Sequence, residues 1–210
     1  MSINVEIFKN INITTPYDRI YSRLGYVWGK TKVNPQQQAD LEKSIKQARD
    51  FIDLIAAAAI VKIEGVNGSK IEFEHNFVLK SNGLKKLLIG CTHALFMGAT
   101  SGEEIVAQIE KNSRAADVTK AVIFDAVASE ITDLALNWVV NYYNNLLRRE
   151  NKTLTPQRFS AGYGDLGIEN QEIFTDILKM PDLGVRITDT FLLIPEKSVT
   201  AVCGIKNIEN

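Results

Sequence analysis

The dipeptide Asn67-Gly68 stands between two runs of alternating residues, Ile60–Val66 and Lys70–Val78. A two-residue hairpin turn needs left-handed backbone at its centre, and Asn-Gly supplies it at the lowest cost. This commits the chain to an antiparallel strand pair. Ile71, Phe73 and Phe77 then share one strand face, and His75 falls on it too. A lone histidine there is more often a half-buried, satisfied residue than a ligand.

Other segments extend the pattern. Ile3–Ile7 alternates as a half-buried strand does, Leu87–Met97 reads as a buried strand containing His93, and Val185–Ile194 and Ser198–Ile205 read as two closing strands joined by Pro195-Glu196-Lys197. Helices fall between them. Thr15 and Pro16 look like the cap and first position of a helix over Tyr17–Leu24, stopped by Gly25, and 32–38 reads as a loop. Leu41, Ile45, Ala48, Ile52 and Ile55 form one face of a helix predicted over 37–57. Ser81 and Asn82 open a short helix. Ser101-Gly-Glu-Glu104 has capping-box spacing and predicts a helix to Lys111. A long helix follows over 116–149, striped by Ile123, Val127, Ile131, Leu134 and Trp138, and another covers 169–179. Strands arranged as hairpins, without regular βαβ alternation, imply an α+β fold: a mainly antiparallel twisted sheet with helices packed against it.

At 210 residues and 45% hydrophobic, the chain can bury a full core without staples, so one domain over 1–210 is expected. Twenty-four basic residues against 25 acidic ones leave a net charge of −1, without the basic excess of a phosphate-backbone binder, so nucleic acid is not an expected partner. Cys91 and Cys203 form no CxxC and lie in apolar segments, as reduced core thiols do; with only two histidines, a structural zinc site is not expected. The start carries no leader pattern and no apolar run nears the ~18 residues of a membrane span, so no membrane is expected as a partner and a soluble cytoplasmic protein is the reading. Dinucleotide, P-loop, nucleophile-elbow, HExxH and EF-hand motifs are absent.

The most unusual stretch is Arg158-Phe-Ser-Ala-Gly-Tyr-Gly-Asp165. Its glycines let the backbone turn tightly beside a ligand. Arg158 offers a planar fork for a carboxylate or phosphate, and Tyr163 a ring face and a hydroxyl. An amino-acid-bearing nucleotide would use all of these. A loop held by turn chemistry, with an incidental arginine, has the same composition.

Three further segments follow in order: Gln171-Glu-Ile-Phe174, Leu183-Gly-Val-Arg-Ile-Thr-Asp-Thr190 and Pro195-Glu-Lys-Ser-Val-Thr-Ala-Val202. Together with the R-x-x-x-G-Y of Arg158, Gly162 and Tyr163, they resemble the C-terminal reactivation domain of cobalamin-dependent methionine synthase. Ala99-Thr-Ser-Gly102 and Asp125-Ala-Val-Ala-Ser-Glu130 fit the same family. The resemblance is closest over 156–204, looser over 87–150 and faint before that.

The resemblance implies a C-shaped α+β domain around a twisted antiparallel sheet. It implies S-adenosylmethionine as ligand, cobalamin carried by a partner protein, and reductive methylation of cob(II)alamin with an electron donor such as flavodoxin. The expected partner is a separate cobalamin-dependent methionine synthase, this chain acting as a stand-alone reactivation subunit with little bond-making chemistry of its own. By the same resemblance, Arg158 contacts the methionine carboxylate or nearby polar groups. Ser160 and Ala161 contribute main-chain contacts, Ser160 standing where the family usually has alanine, and Gly162 and Tyr163 match the Gly-Tyr pair. Asp133, with Glu130 one turn away, matches the helical acid facing the ligand's positive charges, and Glu150 a second acid ahead of the signature. Charges at the spacing of Glu130 and Asp133 also occur as a plain solvated helix face. Trp138 and the Tyr142-Tyr143 pair read as helix packing.

Gly164 replaces the family's frequent proline, and the sequence ends at Asn210, where family members carry further chain with a ligand-contacting tyrosine. Weaker affinity, or a partner that completes the site, is the corresponding expectation. Two alternatives stay open: an accessory to another corrinoid methyltransferase, and an interaction module whose ligand site is lost.

Overall fold

The computed structural model describes residues 3–27 and 29–208. Its sheet is built on three long neighbours: β2 (Ile55–Asn67), β5 (His93–Thr100) and β9 (Ser198–Asn207), all antiparallel. The other side of β2 takes β1 (Glu6–Phe8) along its first half and β3 (Lys70–Phe73) along its second, with β4 (Val78–Lys80) beyond β3. The far edge is β6 (Lys152–Leu154), which pairs only with residues 205–207 of β9. A separate ribbon joins β7 (Arg186–Ile187) to β8 (Leu193–Ile194).

Both faces of the sheet are covered. Ala56 and Ala58, Leu95, Met97 and Ala99, and Ala201, Cys203 and Ile205 point into one core. Ala57, Ala59 and Val61, Ala94 and Phe96, and Val202 point into the other. The first core is closed by α1 (Tyr17–Arg23), α2 (Pro35–Asp50), α4 (Glu103–Arg114) and α5 (Val118–Leu147). The second is closed by α3 (Asn82–Leu87) and α6 (Gln171–Ile177), the latter inserting Phe174 edge-on against Phe96 at 5.1 Å between centroids. The architecture is the predicted α+β arrangement, but the turn closing β2 on β3 is Gly68-Ser69, with Gly68 at φ 62°, one position later than the expected Asn67-Gly68, because Asn67 still pairs with Lys70.

Several elements depart from the sequence expectations. The helix predicted over 37–57 is α2 and ends at Asp50; Ile55 to Ile60 is central strand. Its start lies in the presumed loop, where Asn34 accepts from the Gln37 N–H (2.8 Å), the Gln37 side chain accepts from the Asn34 N–H (3.2 Å), and Pro35 takes the first position. Thr15 does not cap α1, whose N-cap Pro16 has no side-chain bond. Ser101 forms no capping box: it is fully buried, its hydroxyl meets the Thr132 hydroxyl at 2.7 Å, and Gly102 precedes α4 instead. The strand expected from Leu87 begins at His93, so Cys91 lies half-buried in the preceding turn. The hairpin's second strand ends at Phe73, and His75 is exposed in a one-turn 3-10 helix with φ 65°. Val185–Ile194 is two short strands around a turn. Trp138, Tyr142 and Tyr143 pack around Phe8, and both tyrosine hydroxyls donate to Glu6 at 2.9 Å. No helix among the described residues is long and apolar enough to cross a membrane.

Candidate functional site

After β6 the chain passes Pro156 and runs briefly beside β9, where Phe159 and Val202 exchange both backbone hydrogen bonds, at 2.9 and 2.8 Å. It then turns away. Gly162 (φ 80°) donates to the Leu166 carbonyl at 2.9 Å, and a Cβ there would lie 2.9 Å from Ile168 Cδ1, so glycine is required both by conformation and by space. Asp165 reaches across to the start of α3. It accepts from the Asn82 N–H (2.6 Å), the Gly83 N–H (3.1 Å) and the Ser81 hydroxyl, and these donors pull its carboxyl down to about 2.

This loop leaves polar backbone uncovered. The Ser160 carbonyl accepts from the Tyr163 N–H at 3.2 Å, but among the described residues the Ser160 N–H and both main-chain groups of Ala161 have no hydrogen-bond partner. Opposite them, Ser198–Ala201 of β9 pairs with β5 on one side and, among the described residues, has no strand on the other. Two clefts of about 390 and 260 Å³ meet there, both lined by Glu196, Ser198 and Val199. The larger is walled by Ser160, Ala161, Ile168, Phe191 and Leu192, with Gln171 and Thr200 at its base, where the Gln171 amide donates to Thr200 Oγ1 at 2.8 Å. The smaller runs on to Ser129, Thr132 and Asp133 of α5. The combined groove falls within the span of small-molecule sites, roughly 300–1,000 Å³. Unpaired strand-edge and loop amides on its walls can hydrogen-bond a ligand directly.

The predicted residues divide. Arg158 and Asp133 meet at 2.7 Å, and the other guanidinium nitrogen donates to Asn137 Oδ1 at 2.7 Å. Arg158 therefore stands behind the groove and fixes the acid that borders it. Asp133 also faces Arg19 of α1 at 3.6 Å, and Glu130 pairs with Arg23 at 2.6 Å, so the two acids do project together, toward α1. Ser160 and Ala161 lie on the groove wall. Tyr163, 68% exposed and edge-on to Phe159 at 5.5 Å, stands on the loop's outer side. Glu150 is not brought near: it lies past the C-terminal end of α5, paired with Lys152 at 2.7 Å, roughly 25 Å from Asp133 along the helical path. Sequence reasoning missed Phe191, Ser198 and Thr200. Ser198 and Thr200 sit in a segment that carries the resemblance and Phe191 directly follows another, but strand alternation marks all three as ordinary strand residues.

No family model matches the sequence, and no curated protein matches it. Among solved structures, this chain is similar to the MetH reactivation domain crystallised with AdoHcy (S-adenosylhomocysteine), at a TM-score of 0.70 and 16% identity, over 100% of this chain and 80% of that one. At that identity the likeness establishes the fold: a curled antiparallel sheet with flanking helices, as in that domain.

Proposed function

We propose that this chain binds S-adenosylmethionine in the β9-edge groove and acts as a reactivation subunit for a cobalamin-dependent methionine synthase, supporting reductive methylation of the partner's cob(II)alamin. The observation that carries the reading is the unpaired main chain of Ser160 and Ala161 facing the unpaired edge of β9, in a fold shared with a domain that was crystallised with S-adenosylhomocysteine. The donor set suits the ligand. Free amides and a carbonyl match its polar groups, and Asp133, held by Arg158, offers a carboxylate to its ammonium. The bond-making chemistry belongs to the partner's reduced cobalamin, with an electron donor such as flavodoxin. This chain's part is to hold the ligand in a fixed, solvent-open orientation, where positioning supplies the effect.

Calorimetric titration with S-adenosylmethionine and S-adenosylhomocysteine tests this. Saturable binding of both is expected. Arg158→Ala, by releasing Asp133, should weaken each by at least ~1.5 kcal/mol, the scale of a charge-assisted hydrogen bond. No heat with either ligand at millimolar concentration would contradict the proposal.

A further inference from the structure

Phe191 occupies a position that ordinarily belongs to glycine. Between β7 and β8 the Phe191 N–H donates to the Thr188 carbonyl and the Thr188 N–H to the Leu192 carbonyl, both at 2.9 Å. Phe191 itself has φ 63°. This is a three-residue hairpin loop ending on a left-handed residue, where glycine is preferred because a bulky side chain strains the backbone. The Thr188 hydroxyl secures the loop, accepting from the N–H groups of Leu192 (3.0 Å) and Thr190 (3.3 Å).

The ring is half-buried, but core packing does not account for it. Phe191 belongs to neither core, and among the described residues it has no aromatic partner. It lines the larger cleft instead, together with Leu192, Ile168 and Ala161. A strained residue that serves neither core, beside a ligand groove, marks a function that outweighs the strain.

We infer that Phe191 is the specificity-determining wall of the groove and takes the flat heterocycle of the ligand, the adenine of an S-adenosyl compound. This rests on the ligand class proposed above. An aromatic ring and a planar base attract through offset or edge contacts. The opposite end of the groove, near Ser198 and Asp133, is polar and takes the amino-acid portion.

The test pairs stability with binding, using S-adenosylhomocysteine and adenosine as probes. Phe191→Gly suits the left-handed backbone, so its thermal midpoint should equal or exceed the parent's. Its affinity for S-adenosylhomocysteine should fall roughly tenfold, the scale of one base–aromatic stack, and adenosine binding should fall in parallel. Phe191→Tyr should bind as the parent does. Phe191→Asn, which also tolerates this conformation, provides a second stable variant with the same expected loss. Parent-like affinity in the Gly and Asn variants overturns the assignment of Phe191 and leaves the proposed ligand standing. Failure of the parent itself to bind S-adenosylhomocysteine overturns both.

Discussion

Asp165 illustrates what single residues do around the groove. It lies in the loop that suggested a ligand site, yet its carboxylate collects donors from Ser81, Asn82 and Gly83, more than 80 positions earlier. Nothing local in the sequence announces that partner; only the fold brings the start of α3 to the loop. The folded state holds this carboxyl at about 2 against an ordinary 3.8, so the unfolded chain binds its proton first as pH falls. The stabilisation is complete above pH 4 and is lost as pH drops toward 2. Asp165→Ala should lower the thermal midpoint at neutral pH and flatten the dependence of stability on pH between about 4 and 2, as read by acid titration of the melting curve. A variant with the parent's full acid slope would show that Asp165 does not anchor the loop. The resemblance points to Arg158 and Asp133 separately but not to their mutual pairing, because their elements meet only in the folded molecule.

At the scale of elements, the hairpin and the long helix were plain, the first from turn chemistry and the second from its repeating apolar stripe. The central strand was not. Ala56–Ala59 lies between two cores, so every side chain is buried and the period-2 alternation disappears. What remains is an alanine run that reads as helix, and tertiary packing overrides that propensity. The same crowding fixes Gly204 on β9: a Cβ there would collide with Cys91 Sγ and lie 3.0 Å from Leu88 Cδ2. Gly204→Ala should cost about 1–3 kcal/mol by overpacking. Cys91→Ala in the same chain should recover much of that loss, with the non-additivity measured by urea unfolding of the double-mutant cycle. Simple additivity would place the crowding elsewhere.

For the whole molecule, the groove exists because strand pairing stops short. β6 covers β9 only from Ile205 onward and Phe159 bridges at Val202, so the first half of β9 faces a loop instead of a strand. α5 brings Asp133 to one end of this gap, and the β7–β8 turn brings Phe191 to the other. The sequence shows each segment but not the gap, since a missing strand neighbour has no local pattern. A second cleft of about 800 Å³, lined by Tyr21, Tyr26 and Val33, lies between α1 and α2 and offers the ligand a competing location. Where the ligand sits therefore has to be measured along with whether it binds. The direct measurement is an amide chemical-shift titration of the isotopically labelled protein with S-adenosylhomocysteine. Saturable shifts centred on Ser160, Ala161, Phe191 and Ser198–Thr200 are predicted. Saturable shifts confined to Tyr21–Val33 would put the ligand between α1 and α2 instead, and no shifts at all would rule out binding.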